Sequence, residues 1–335
     1  MKLQEVNLIR LVAISSIVLW HCFCCPIHEW HILEPSLITR SVCLFSSFFI
    51  PGANMPLFAC LSGYLFAYLY LNKKKNYTSF PALLKTKFHR LFVPFLVLGS
   101  IGTIIVADRP NSGILWGDGS SMWFCIMLFW LTLFRWCVKQ SRFLLTKIII
   151  LIGCIAFYLH FRNYGIPHWV NGYPFGILCL PRAFYYYPFF CFGEYLYVHR
   201  DKYFNSKYNI YAYIVIFLIV GILQRTPNHY VSYMMMKIMP LCLILLTFNI
   251  CIIIVNKDWY KKYLGGVSYF CAHAFGIYVM HEEISWICYH YDPLVILFRS
   301  NPLIYAASFT IATYIFCFVL THYCLKTKIG NYLLS

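Results

Sequence analysis

Leu8-Ile9-Arg10-Leu11-Val12-Ala13-Ile14-Ser15-Ser16-Ile17-Val18-Leu19-Trp20-His21 sets an arginine and a histidine eleven positions apart within one apolar run. Eleven residues of α-helix turn through about 1100°, three full turns plus about 20°, so both side chains fall on one face. The rise between them is about 16 Å, roughly half the hydrocarbon thickness of a bilayer. Ionisable side chains inside a membrane segment are costly, so they mark a pathway or a site. Taken singly, Arg10 could snorkel to the inner surface and His21 could be solvated at the outer interface. Their common face sets the pair apart from two unrelated accommodations.

The rest of the chain makes this a membrane segment. Of 335 residues, 61% are hydrophobic, 20% aromatic and only 11% charged, with mean hydropathy +0.67. A water-soluble domain carries about 25% charged residues. The charges cluster between apolar stretches of about 15 to 25 residues, the length that crosses a bilayer. Ten spans are expected, near 6–24, 43–71, 91–107, 121–138, 146–160, 184–199, 210–223, 236–255, 267–289 and 302–325. The first is too long for a signal-peptide core and has no small-residue cleavage site, so it is expected to be retained. The expectation is an all-α integral membrane bundle of about ten helices, residues 1–335 forming one transmembrane domain with no separate soluble domain.

Charge gives the orientation. With the N-terminus inside, nineteen of the 27 Lys and Arg fall in cytoplasmic segments, among them Lys73, Lys74, Lys75, Lys85, Lys87 and Arg90. Seven fall on the other side: Arg40, Arg109, Arg162, Arg182, Arg225, Lys237 and Arg299. This bias predicts that both termini are cytoplasmic. The net charge of +16 then follows from topology, with anionic headgroups as counter-charge and no need of nucleic acid. Most of the sixteen cysteines lie within spans, where Cys behaves as a small hydrophobe, and none has a metal-ligand spacing with His. Neither a metal site nor a disulfide framework is expected.

A second motif follows in span two, Asn54-Met55-Pro56-Leu57-Phe58-Ala59-Cys60-Leu61-Ser62-Gly63-Tyr64-Leu65-Phe66. Pro56 frees a backbone carbonyl and bends the helix, and Ser62-Gly63 forms a notch that a second helix can approach. Arg, ten intervening residues and His, followed by this block, resemble the membrane acyltransferase-3 family, the integral-membrane O-acyltransferases. Further blocks fall in the same order: His89-Arg90-Leu91-Phe92-Val93-Pro94, Met122-Trp123-Phe124, Phe189-Phe190-Cys191-Phe192-Gly193 and Ile277-Tyr278-Val279-Met280-His281. The resemblance covers nearly the whole chain. It departs at two points: Lys87 stands where many relatives carry the first of two arginines, and Asn54 where sugar-acetylating relatives often carry His.

Acyl transfer from a thioester to a hydroxyl needs a base for the hydroxyl proton, a donor to the developing oxyanion, and a grip on the acyl carrier. His21 is the only candidate base in span one, neutral imidazole serves at pH 7, and the resemblance gives it the same catalytic role. Acyl-CoA is cytoplasmic and anionic, so its phosphates are expected at the cytoplasmic rim beside Arg10, Lys85, Lys87 and Arg90. Arg suits phosphate through two parallel charge-assisted bonds. A pantetheine arm is comparable in length to the gap between Arg10 and His21, so the thioester could reach His21 from below while a hydroxyl arrives from above. Ser62, Glu194 and His281 are expected to line the site, Glu194 in partnership with Arg10 or another cation and His281 as an orienter of His21 or an acceptor contact. Glu282 and Glu283 could simply line water.

The outer segments carry Trp30, His31, His168, Trp169, Asn171, Tyr173 and Tyr185-Tyr186-Tyr187. These match the interfacial aromatic belt of any membrane protein better than a sugar site. The resemblance, and not the aromatics, implies a cell-surface or lipid-linked glycan as acceptor. It also implies acyl-CoA, with acetyl-CoA expected, as the donor substrate; no permanently bound cofactor; and residence in a bacterial inner membrane. A secondary transporter or glycan exporter is the competing reading, since charges within spans also mark translocation routes. The absence of an internal repeat or paired broken spans counts against it.

Overall fold

The computed structural model describes residues 4–24, 55–72, 79–105, 122–140, scattered positions between 144 and 155, 177–204, 207–289 and 302–334. Among the described residues the chain is helical throughout, with no strand. The helices are α1 (Gln4–Leu19), continued by a π-helical turn at Trp20–Cys24, and α2 (Met55–Leu71). α3 (Phe80–Lys87) runs through a second π turn, Phe88–Phe92, into α4 (Val93–Ile105). After these come α5 (Trp123–Gln140), α6 (Leu180–Val198), α7 (Arg200–Phe204) and α8 (Lys207–Leu223). α9 (His229–Val255), α10 (Asp258–Tyr289), α11 (Pro302–Lys326) and α12 (Lys328–Leu334) complete the series. Asn54, most of the expected fifth span and the aromatic segments at Trp30–His31 and His168–Tyr173 lie outside the described residues.

Among the described residues, four helical stretches are long and apolar enough to cross a membrane: Gln4–Cys22, Phe80–Ile105, Ile238–Val255 and Ala307–Lys326. α10 has 32 residues, about 48 Å of helix, but its histidines and glutamates lower its hydropathy. Those groups turn inward: His273, His281, Glu283 and Ser285 are buried. On other helices large apolar side chains face outward, Ile104, Tyr211, Val215, Leu218, Ile222, Ile311 and Ile315 among them. Contiguous apolar surface of this kind needs lipid rather than water around it, and with it the chain is a membrane protein.

α1 carries the Arg10–His21 segment. Ile9, Ala13, Ile14, Ile17 and Val18 are all buried and cover one half of the helix, while Val12 and Ser15 on the other side are exposed. It packs against α9, α10 and α11. Its N-terminal end is fixed by Glu5, buried, which accepts a hydrogen bond from Tyr64 Oη at 3.2 Å and pairs with Arg200 at 3.4 Å. This three-way tie of α1, α2 and α7 is not readable from any local motif.

The notch predicted at Ser62-Gly63 is filled by α6. A Cβ on Gly63 would lie 1.8 Å from the carbonyl oxygen of Phe190, and one on Gly193 would lie 1.8 Å from that of Cys60. The two helices therefore touch backbone to backbone at reciprocal glycines. The next residue of α6, Glu194, holds Arg135 and Lys139 of α5, each at 2.5 Å. Glu194 thus pairs with cations other than Arg10. Those partners keep 23% and 18% exposure. Glu194→Gln is accordingly expected to cost about 2 kcal/mol, less than the about 3–5 kcal/mol of a fully buried broken pair. A thermal melt in detergent checks this.

Candidate active site

α1 meets α10 at a pair of histidines. The rings of His21 and His281 are stacked, with centroids 4.8 Å apart and planes 9° from parallel. His281 is fully buried, and its Nδ1–H donates to the carbonyls of Tyr278 at 2.7 Å and Ile277 at 3.1 Å. A nitrogen that donates to a carbonyl must carry a proton. Nδ1 of His281 therefore carries a proton, and Nε2 has no hydrogen-bond partner among the described residues.

The π turn at Trp20–Cys24 sets the other half of the pair. A π turn widens the helix and breaks the regular i→i−4 ladder, re-aiming side chains and freeing carbonyls. The freed Cys22 carbonyl accepts from Tyr289 Oη at 2.5 Å, and Cys22 Sγ lies 3.3 Å from Ser285 Oγ. α10 therefore grips the histidine turn of α1 from His281 through Tyr289.

Below the pair lies a cavity of about 580 Å³. Arg10, Lys87 and Arg90 line it, with Ser62 and an apolar wall that includes Phe58, Leu61, Phe124, Leu128, Phe275 and Tyr278. No carboxylate is among the described residues lining it. Like charges converge on a common space at a cost unless an anion shares it. Arg90 belongs to the second π turn, Phe88–Phe92, and its neighbour His89 bonds Tyr332 Oη through Nδ1 at 2.7 Å. Two of the sequence blocks, those around His21 and Arg90, therefore coincide with the two π turns.

The cavity does not open onto the histidines directly. Phe58, Phe124 and Tyr278 form an aromatic layer, with Phe124 edge-on to Phe58 at 5.5 Å and to Tyr278 at 5.8 Å. Tyr278 lies 5.9 Å, ring to ring, from His281. Of the residues expected from sequence, Arg10, Lys87, Arg90 and Ser62 thus share one chamber, while His21 and His281 form a stacked pair just past its aromatic wall. Lys85 is exposed on α3 and does not line the chamber, and Glu194 sits in the α5–α6 ion cluster. Trp123, from the fourth block, is covered by the Arg182 guanidinium at 4.5 Å. Among the described residues no group of three or more His, Cys, Asp or Glu is placed to hold a metal.

The described helices thus bring together a cationic chamber and, past its aromatic wall, a stacked histidine pair. The family model for this acyltransferase domain matches residues 3–322, and the chain belongs to the membrane acyltransferase-3 family. The protein is thus an acyltransferase. No curated protein and no solved structure matches the chain.

Proposed function

We propose that this chain is an integral-membrane O-acyltransferase that moves an acyl group, acetyl in the first instance, from cytoplasmic acyl-CoA to a hydroxyl of a cell-surface or lipid-linked glycan. The observation that carries this reading is the convergence of Arg10, Lys87 and Arg90 on one chamber whose aromatic wall abuts the His21–His281 pair. Three cations offer charge-assisted bonds to the phosphates of the donor. The apolar length of the chamber suits a pantetheine arm, which would bring the thioester toward the aromatic layer.

In the chemistry, His21 accepts the proton of the acceptor hydroxyl as its oxygen attacks the thioester carbonyl carbon. The tetrahedral intermediate collapses with cleavage of the carbon–sulfur bond. The CoA thiolate leaves and takes up the proton that His21 received, so the enzyme is returned unchanged. Stacking on His281, itself locked by two backbone carbonyls, holds the His21 ring in plane for both proton transfers. With both termini cytoplasmic, donor and acceptor would meet from opposite sides of a bacterial inner membrane, and the acyl group alone would cross. The acyltransferase match over residues 3–322 favours group transfer over a transporter.

Arg10→Ala is expected to raise KM for acetyl-CoA by about 10- to 100-fold with kcat nearly unchanged, the loss of one or two charge-assisted bonds made equally in ground and transition states. Initial rates across donor concentrations check it. The reading as a whole is tested by incubating membranes containing the protein with CoA carrying a radioactive acetyl group and glycan extracted from the native host. Label in the glycan fraction, absent from membranes lacking the protein, is the expected result. Binding of neither acetyl-CoA nor label would overturn it.

A further inference from the structure

The family model ends at residue 322, yet the helix that closes one side of the cationic chamber comes after it. α12 folds back from α11 at Thr327, whose hydroxyl donates to the Cys324 carbonyl at 2.8 Å and accepts the Gly330 N–H at 2.9 Å. The reversal is tight enough to need glycine, since a Cβ on Gly330 would lie 2.0 Å from the Cys324 oxygen. It lays Asn331 and Leu334 along the chamber, with Leu334 only 3% exposed. The Tyr332–His89 hydrogen bond then ties α12 to the π turn that carries Arg90.

We infer that α12 is the donor-selecting element of this enzyme: the Asn331 carboxamide, sharing the chamber with Arg10, Lys87 and Arg90, hydrogen-bonds the nucleotide end of the acyl carrier, while Leu334 seals the apolar side. The inference rests on the acyl-CoA reading above. Cations respond to phosphate charge wherever it sits and do not distinguish a base or ribose from water. A carboxamide presents both a donor and an acceptor in a fixed plane, so it discriminates among neutral hydrogen-bonding groups. α12 lies past the stretch matched by the family model.

Asn331 and Tyr332 are both exposed, and Asn331 joins its helix through a backbone bond to the Thr327 carbonyl. Asn331→Ala and Tyr332→Phe therefore leave the fold intact, which equal melting temperatures would verify. The experiment titrates the full-length protein in detergent with CoA by calorimetry, at low and high salt. Asn331→Ala is expected to weaken CoA about 3- to 10-fold with the wild-type salt dependence, and Tyr332→Phe to weaken it less. Arg10→Ala should instead flatten the salt dependence, since it removes a charge contact. If Asn331→Ala binds CoA as tightly as wild type, the inference fails and the donor reading stands. If wild type itself does not bind CoA, both fall together.

Discussion

Gly193→Leu is expected to yield no folded protein. At this position α6 meets α2 with the Cys60 carbonyl 1.8 Å and the Tyr64 nitrogen 2.9 Å from where a Cβ would sit. Both obstacles are backbone, so no side-chain rotation relieves them. The helices must separate by more than an ångström, and Gly63, which makes the reciprocal contact with Phe190, is displaced in the same motion. Tyr64 would then lose its contacts with Tyr197 and Phe248 and its hydrogen bond to Glu5. Even Gly193→Ala should cost about 3 kcal/mol, the upper end of ordinary overpacking, against a total stability of about 5–15 kcal/mol. Size-exclusion profiles and thermal melts in detergent distinguish the cases: a lowered melting temperature for alanine and no monodisperse peak for leucine. A leucine variant with wild-type behaviour would show that the two helices do not cross there.

The second large effect is catalytic. His21→Ala is expected to lower kcat by about 10²- to 10⁴-fold, the range of a general base, which is about 3–5 kcal/mol of transition-state stabilisation. Alanine also empties the space that the ring fills against His281, so His21→Phe is the sharper variant. Phenylalanine keeps a flat ring stacked on His281 but has no nitrogen to accept a proton. Both variants should insert, fold and bind acetyl-CoA, and both should fail in transfer of label. If His21→Phe retained full activity, the base would have to be another group.

Much of this arrangement follows from local pattern. The Arg10–His21 spacing is legible because helical period and membrane cost act within one segment, and His281 stands out as an ionisable group in an apolar stretch. The Ser62-Gly63 notch is equally local, although its partner Gly193 is only a glycine in an aromatic block until the helices are brought together. The π turns are not legible, because one altered hydrogen-bond register leaves no mark in residue type; they shift His21 and Arg90 relative to a straight α-helix. The Glu5–Tyr64–Arg200 tie joins residues far apart in sequence, beyond any periodic signal. α12 is hidden for another reason. Its seven residues are too few to carry a pattern, and what matters is the reversal at Thr327 that returns them to the chamber.

The central claim is that the acyl group passes from the cationic chamber across the histidine pair to an acceptor on the far side. The direct test uses wild-type protein in sealed vesicles with host glycan trapped inside and acetyl-labelled CoA supplied only outside. Orientation is read by protease access to the Lys328–Leu334 segment. Label should appear in the trapped glycan in vesicles that expose this segment outward, with CoA remaining outside. Label reaching glycan only when donor and acceptor share a side would contradict the account.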